Sequence, residues 1–219
     1  MIDDEKTVNP KGLVHEETPS TNLTVVQTRE DLLACIDISR ANFGGIFSDS
    51  DLVEYMRMIE KNPHICFALK SNNQIVGYTG VAPLKSGVLP HVLAQTLPVK
   101  ISPDDMEIFS PGAQIDLFLT VMAVKPSVSL LEKRMYGARL VSDLINRVKQ
   151  WGREGVGIRT IAARSNTPDG LRLLRHIGFT EIIRVTPERR TFVIGVEESG
   201  IPFIEDYRQA FDEWKRKSI

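Results

Sequence analysis

Apolar positions recur with two different periods in the first third of the chain, and the two periods predict different elements. Residues 23–27 (LTVVQ) form a short β-rich run, which indicates a strand. Residues 29–43, and the segment that follows FSDSD (47–51), place apolar side chains every three or four residues, which predicts two helices. Two further β-rich runs, 65–70 and 74–81, flank Ser-Asn-Asn and predict a hairpin.

The middle of the chain changes from an irregular to a strongly apolar pattern. Residues 83–114 contain five prolines, which argue against a continuous helix or a central strand, so we expect a long, partly ordered insertion there. Residues 115–124 (IDLFLTVMAV) are almost all apolar, which is typical of a strand covered on both faces. The stretch 132–145 (EKRMYGARLVSDLI) predicts a turn that carries Gly137 and leads directly into an apolar-striped helix.

The last third predicts two more strand and helix pairs. Residues 158–163 (IRTIAA) indicate a strand, and the following helix has Thr167 as its cap and Gly178 as its stop. The runs 180–185 and 190–196 predict a final hairpin. A C-terminal helix has four aromatic residues on one face, which is more often core packing than a partner site: Phe203, Tyr207, Phe211 and Trp214.

Composition narrows the class of protein. The 219 residues include 27 basic and 28 acidic side chains, and 42% of the residues are hydrophobic. A chain of this length and composition suits one soluble globular domain. Because the net charge is only −1, no overall positive field gathers nucleic acid, which disfavours a nucleic-acid-binding role.

The cysteines, the histidines and the N-terminal sequence argue against disulfide-rich, metal-binding, secreted and membrane-spanning proteins. Cys35 and Cys66 are too few for a disulfide framework. The four histidines show no ligand spacing with one another or with the cysteines, so no metal site is expected. The first 22 residues lack the basic start and apolar run of a secretory signal, and the longest apolar run is too short to span a membrane. We therefore expect a cytoplasmic protein with no membrane association.

Three motifs resemble the GNAT superfamily of acyl-coenzyme A dependent N-acyltransferases. VMAVKP (121–126) is similar to the end of that family's fourth strand, and RMYGARL (134–140) resembles its pyrophosphate-binding turn. SNTPDGLRLLRHIGFTEI (165–182) resembles the Asn-led helix that ends in Gly-Phe before the sixth strand. The order of the predicted strands and helices also follows the family.

The resemblance implies a fold and a domain organisation. We expect an α/β (α+β) GNAT fold with a mixed, mostly antiparallel sheet of about seven strands flanked by helices. The expected acyltransferase domain covers residues 23–196, with 83–114 as an irregular insertion. Residues 1–22 would form a flexible N-terminal arm and residues 197–219 a C-terminal helical extension.

The resemblance also implies acetyl-coenzyme A, or another acyl-coenzyme A, as the co-substrate. A helix N-terminus offers unpaired amides and partial positive charge, and a glycine there lets the backbone approach a phosphate. Aligned on Gly137, the family pattern Gln/Arg-x-x-Gly-x-Gly/Ala has Glu132 at its first position and Met135 at its inner glycine, so two of three defining positions depart. The expected cofactor-binding residues are Ala123, Val124, Arg134, Met135, Tyr136, Gly137, Ala138 and Asn166. For Asn166, capping the following helix is an alternative role.

The family's chemistry implies a base and, in many members, an acid. Asp116 lies on the same face of the fourth strand as the position of the family's carboxylate, which makes it the candidate base; a solvated residue at the strand's start is the alternative. The family's helix tyrosine is missing, and His176 is its candidate substitute. A histidine that interacts with the helix dipole is the alternative for that position.

The resemblance implies transfer of an acyl group to a small-molecule or peptide amine by direct attack. Two alternatives stay open: a non-catalytic GNAT-fold binding or interaction module, and an acyltransferase that uses a long-chain or acyl-carrier-protein donor. A basic patch favours an acidic acceptor or carrier, although scattered arginines more often form a solvated face: Arg172, Arg175, Arg184, Arg189 and Arg190. A homodimer through the tail or the outer sheet is a further option.

Overall fold

A seven-stranded sheet with helices on both faces organises the protein. The computed structural model describes residues 20–45, 47–95, 99–165, 167–184 and 190–218. The strands are β1 (Thr21–Val25), β2 (Cys66–Ser71), β3 (Gln74–Leu84), β4 (Gln114–Val124), β5 (Gly157–Ser165), β6 (Thr180–Arg184) and β7 (Arg190–Gly195). The helices are α1 (Arg29–Phe43), α2 (Asp49–Lys61), α3 (Leu89–Ala94), α4 (Leu130–Arg153), α5 (Pro168–Ile177) and α6 (Pro202–Lys217).

The strand order is β1-β2-β3-β4-β5-β7-β6, and only β4 and β5 pair in parallel within the described sheet. This mixed, mostly antiparallel sheet of seven strands confirms the predicted fold class. Parallel neighbours require a crossover, and α4 supplies it between β4 and β5. The strand that the resemblance placed beside a donor, β4, therefore belongs to this parallel pair.

Alternating side chains of the central strands feed two separate apolar layers. Leu117 and Ile161 face α4, α5 and α6 in the largest buried cluster. Phe118 and Ala162 face the opposite side, where α3 covers them. Helices α1 and α2 lie on the same side as α3 and bury residues such as Ala123 of β4. The sheet is thus covered on both faces, as the apolar run in β4 predicted.

Pro83 lies inside the central strand β3, which corrects the expectation that no central strand occurs in residues 83–114. It pairs in register with Leu117 of β4. Its carbonyl accepts a hydrogen bond from the N–H of Glu107 at 2.8 Å. Because the N and O atoms of one strand residue point to the same side, the missing proline N–H costs no hydrogen bond to β4.

The rest of this segment folds back over the sheet and is fixed at several points. The Arg164 guanidinium of β5 donates to the carbonyls of Leu93 and Gln95. At the end of α2, Lys61 donates a hydrogen bond to the carbonyl of Pro103 at 2.7 Å. The side chain of Asn62 donates one to the carbonyl of Glu107 at 3.0 Å. The segment therefore forms a wall on the α3 side of β3 to β5.

Candidate active site

The parallel strands β4 and β5 pair along only part of their length. The recorded pairing ends where Leu119 meets Ala163. Strand β4 nevertheless continues to Val124, and β5 continues to Ser165. Over Thr120–Val124, β4 has a described strand partner only on its β3 side. We call the opening between the two strand ends the β4–β5 split.

A β-bulge marks the point where the split begins. Gly80 pairs with Val121 while Val81 pairs with Leu119, so Thr120 is the additional residue on β4. A Cβ atom on Gly80 would lie 2.5 Å from the Thr120 hydroxyl oxygen, so only glycine leaves room for this bulge. Bulges bend a strand and redirect its backbone, and here the bend takes β4 away from pairing with β5.

The alternation of the β4 backbone decides which amide faces the split. The N–H of Lys125 donates to the carbonyl of Val76 on β3 at 2.8 Å. Because hydrogen-bonding groups of successive strand residues point to opposite sides, the N–H and C=O of Val124 point away from β3. Those of Ala123 point toward β3, where Ala123 pairs with Tyr78. Of the two predicted amides, the geometry therefore presents Val124 to the split, whereas Ala123 belongs to the sheet.

Asn42 of α1 completes this end of β4, although no sequence motif pointed to it. Its side-chain amide donates to the carbonyl of Val124 and to that of Ile38, both at 2.9 Å. The bond to Val124 replaces the partner that β5 would otherwise supply, while the N–H of Val124 still faces the split. Asn42 and Val124 are 82 residues apart in sequence, so no local pattern could have revealed this contact.

A second polar pair lies next to Asn42. The hydroxyls of Ser39 and Tyr78 are 2.5 Å apart, and Tyr78 is buried. Burial raises the pKa of Tyr78, so its hydroxyl stays protonated at neutral pH. This pair holds α1 against β3 immediately beside the strand end that Asn42 completes.

Helix α4 begins earlier than the sequence pattern predicted. Residues 132–145 were predicted to contain a turn before the helix, but α4 starts at Leu130, and that prediction is wrong. The reason is a capping box: the Ser129 hydroxyl accepts from the N–H of Glu132 at 3.2 Å, and the Glu132 carboxylate accepts from the N–H of Ser129 at 2.8 Å. The sequence Ser-Leu-Leu-Glu carries this signal, so it could have been found.

The five residues assigned to the predicted turn are therefore helical, and they have other environments. Tyr136 is 2% exposed and donates to the Ser71 hydroxyl at 3.3 Å. Met135 packs beside it in a buried cluster, while Arg134 and Ala138 are exposed. Gly137 lies in the second turn of the helix, and a Cβ atom there would meet nothing within 4 Å. No close approach among the described residues requires this glycine.

The true N-terminus of α4 already holds an anion from its own chain. The Glu132 carboxylate lies over the first turn, where the helix dipole is positive. Hydrogen bonds from the hydroxyl and the backbone N–H of Ser129 lower the pKa of Glu132, so it is ionised at neutral pH. The split thus leaves hydrogen-bonding groups of the β4 backbone without a strand partner, whereas the first turn of α4 already holds a carboxylate.

Asp116 lies at the opposite end of β4 from the split. Its carboxylate pairs with the Arg159 guanidinium through oxygen to nitrogen distances of 2.8 and 3.3 Å. Arg159 also donates to the Ser86 hydroxyl at 2.9 Å. Eight residues separate Asp116 from Val124, a distance of about 26 Å along a strand. Asp116 is thus a buried ion-pair partner of Arg159, and its role as the base stays a prediction.

His176 is not brought to the split either. His176 is exposed in the last turn of α5, about 12 Å along the helix axis from the N-terminus that follows β5. This position agrees with the alternative of a helix-end histidine. Asn166 lies outside the described residues.

The described arginines of the predicted basic patch are paired with acidic side chains. Arg172 pairs with Asp169 at 2.8 Å, and Arg175 pairs with Glu181 at 3.1 Å. The same glutamate lies 3.7 Å from Arg190. Arg189 and the side chain of Arg184 lie outside the described residues. The described members of this patch therefore give no free cluster of cations beside the split.

Metal-ligand clusters and membrane-spanning helices are both missing from the part of the chain that the structure covers. Within the described ranges, no group of three or more His, Cys, Asp or Glu side chains could hold a metal ion. None of the helices in that part of the chain has the length and apolar character needed to cross a bilayer.

Comparison with known proteins extends these findings. No protein-family model matches the sequence, and no curated protein sequence matches it significantly. Among solved structures, the loading GNATL domain of CurA from Lyngbya majuscula matches with a TM-score of 0.57 and 17% identity, over 82% of this chain and 100% of that one. An N-acetyltransferase from Staphylococcus aureus Mu50 matches with a TM-score of 0.51 and 12% identity, over 80% and 98% of the two chains. A mutant AtaT toxin bound to the C-terminus of the antitoxin AtaR matches with a TM-score of 0.50 and 14% identity, over 85% and 95%.

Proposed function

The chain has the fold of the GNAT acetyltransferases, and from this premise we propose that it is an N-acyltransferase. In this proposal an acyl group, most simply acetyl, moves from a pantetheine thioester to an amine by direct attack. Acyl-coenzyme A is the simplest such donor. The acceptor is a small-molecule or peptide amine, and the protein acts in the cytoplasm.

One observation carries the proposal, namely the one-sided pairing of β4 beyond Leu119. A parallel pair that opens at the end facing the next helix leaves strand amides without a strand partner, and buried amides need a partner. The secondary amides of a pantetheine arm can supply it. The N–H of Val124 is the donor that the geometry offers for the arm or the thioester carbonyl.

The chemical step needs little from the protein beyond positioning. The nitrogen of the amine forms a bond to the thioester carbon, the carbon to sulfur bond breaks, and the proton lost by the nitrogen ends on the leaving sulfur. An N–H aimed at the carbonyl oxygen stabilises the negative charge that develops there. No protein nucleophile is required, and the two cysteines, Cys35 of α1 and Cys66 of β2, are buried in the core between that helix and the sheet.

Thermal unfolding with and without donor tests the proposal. Acetyl-pantetheine or acetyl-coenzyme A at about 100 times its dissociation constant should add about 2.7 kcal/mol to the free energy of unfolding, a shift of several degrees in Tm. Adenosine is the control ligand. If neither thioester shifts Tm, and neither these two nor an acetylated acyl carrier protein acylates any member of an amine panel, the proposal is wrong.

Val124→Pro tests the assigned amide directly. The substitution removes the N–H that faces the split and no hydrogen bond to β3. We expect the Kd for acetyl-pantetheine to rise about tenfold, which is the loss of one hydrogen bond of about 1.4 kcal/mol. Val124→Ile is the matched control, since it keeps the N–H. Equal affinity in the two variants would remove Val124 from the site.

Asp116→Asn separates the structural role of this residue from a catalytic one. Loss of the charged hydrogen bonds to Arg159 should lower the free energy of unfolding by about 2 kcal/mol. Because a general base contributes about 100-fold or more to a rate, kcat/KM should fall by far less than that when measured well below Tm. A loss of about 100-fold or more would restore Asp116 as the base.

A further inference from the structure

The first turn of α4, which the connection 125–129 joins to the end of β4, exposes two leucines. Leu130 is 66% exposed and Leu131 is 78% exposed. Neither belongs to an apolar cluster among the described residues. Exposed apolar side chains that are adjacent and rimmed by charge are typical of an interaction site. We call Leu130, Leu131, Lys133 and Arg134 the α4 entry surface.

Apart from Glu132, which belongs to the capping box, the charged residues next to the two leucines are positive. Lys133 and Arg134 are both exposed, and within the described part of the chain neither forms an ion pair. One turn later, by contrast, Arg139 is paired with Asp143 at 3.0 Å. The two unpaired cations next to two leucines complement a partner that presents acidic residues around an apolar contact.

The helix end itself disfavours the nucleotide half of coenzyme A. The ionised Glu132 carboxylate occupies the first turn, 2.8 Å from the N–H of Ser129. A pyrophosphate placed over the same turn would meet this negative charge and would have to displace its hydrogen bond. The phosphopantetheine arm of a carrier protein has a single phosphodiester in place of the pyrophosphate and no nucleotide, so it meets less of that repulsion.

We infer that the acyl donor is presented by a small acidic carrier protein, which docks on the α4 entry surface and passes its phosphopantetheine arm into the β4–β5 split. This inference rests on the proposed N-acyl transfer and specifies its donor. The five-residue connection 125–129 joins Val124 to α4, so Leu130 lies within about 22 Å of Val124. One occupant thus accounts for the apolar pair, the free cations and the capped helix end.

The test compares three donors that share the same thioester: acetyl-pantetheine, acetyl-coenzyme A and a holo acyl carrier protein acetylated on its phosphopantetheine. Binding to the full chain is measured by calorimetry at about 50 mM and about 500 mM salt, which brackets strong and weak screening. We expect the carrier to bind at least about tenfold more tightly than acetyl-coenzyme A at low salt, and its affinity to fall at high salt because exposed charges are screened. A tighter or equal affinity for acetyl-coenzyme A would overturn the inference.

Two substitutions test whether the carrier protein docks on the α4 entry surface. Leu131→Glu and Arg134→Glu should each lower the ratio of carrier affinity to acetyl-pantetheine affinity by about tenfold or more. Lys217→Glu reverses an equally exposed cation at the end of α6 and serves as the matched control. If all three variants give the same ratio, the carrier docks elsewhere and the inference fails.

Glu132→Gln tests the repulsion argument separately. Glutamine keeps the hydrogen bonds of a capping box but removes the charge. The affinity for acetyl-coenzyme A relative to acetyl-pantetheine should rise roughly two- to fivefold. An unchanged ratio would show that the carboxylate does not oppose the nucleotide.

The remaining outcomes distinguish this inference from the proposed function. Binding of acetyl-pantetheine and acetyl-coenzyme A without the carrier would overturn the carrier alone. Failure of all three donors to bind would overturn the N-acyl transfer as well. Binding of vesicles that contain one-third phosphatidylglycerol, if lost in Leu131→Glu while the carrier does not bind, would make the surface a membrane contact instead.

Discussion

The two ends of helix α4 differ in almost every physical respect. At the C-terminal end, Trp151 is fully buried and Gly152 lies against Tyr207 of α6. At the N-terminal end, Leu130 and Leu131 are exposed. The same helix is therefore tightly packed at its C-terminal end and exposes apolar side chains at its N-terminal end.

The difference indicates that the C-terminal end of α4 contributes mainly to stability, whereas its N-terminal end is available for binding. Buried, close-packed contacts fix the helix at the end remote from the split. The end next to the split is held by a local cap and keeps its apolar and charged side chains available. Substitutions at the two ends should accordingly affect different measurements.

Tyr207→Phe gives the largest expected effect. The Tyr207 hydroxyl donates to the carbonyl of Val156 at 2.9 Å and accepts from the N–H of Ile158 at 2.5 Å. Burial raises the pKa of Tyr207 to about 12, so the hydroxyl keeps its proton at neutral pH. Its removal leaves two buried backbone groups without this partner and should cost about 3 kcal/mol in urea unfolding. A cost below about 0.5 kcal/mol would contradict the conclusion that this end of the molecule is tightly packed and fully hydrogen-bonded.

Gly152→Ala is expected to come next. A Cβ atom at residue 152 would lie 2.8 Å from the backbone oxygen of Tyr207 and 2.9 Å from its ring. Helix α6 must shift away, which should cost about 2 kcal/mol as an overpacked contact. Thermal unfolding measures it, and donor affinity measured below Tm serves as the control, because this end does not contact the split.

Ser129→Ala should have a smaller effect on stability. It removes the side-chain cap that satisfies the N–H of Glu132 and should cost about 1 kcal/mol. Ser129→Thr keeps the hydroxyl and is the matched variant. Equal unfolding free energies for alanine and threonine would show that the cap contributes nothing.

Gly137→Ala should change stability least, and in the opposite direction. It is the same substitution as at residue 152, on the same helix, but here the added Cβ atom meets nothing within 4 Å. Alanine in a helix interior should stabilise the fold by about 0.5–1 kcal/mol. Acetyl-coenzyme A binding, measured in parallel, should persist; its loss would show that the glycine does serve a phosphate.

The sequence predicted the order of the strands and of the helices other than α3, but not the geometry of the site. Periodicity was sufficient for strands such as β4 and for the stripe of α6, because each depends on residues close in sequence. The start of α4 was misplaced since Gly137 was interpreted as a turn residue, although Ser129 and Glu132 have the spacing of a capping box. That error was avoidable.

Other features of the site depend on contacts between distant segments. The bond from Asn42 to Val124 and the pairing of Asp116 with Arg159 join residues 82 and 43 positions apart. Alternation predicted which face of the strand Asp116 shares but could not reveal its partner. Pro83 shows the same limit, because its tolerance in a central strand depends on Glu107, which lies opposite its carbonyl.

The packing of α6 also constrains the order in which the protein can be assembled during synthesis. Ile204, Tyr207 and Phe211 belong to the same buried cluster as Leu117 and Ile161 of the central strands. A ribosome that has released only the sheet has therefore exposed the apolar surface that these late residues cover. That apolar surface stays exposed on the nascent chain until residue 211 has emerged. Premature termination within α6 should therefore yield an aggregation-prone product.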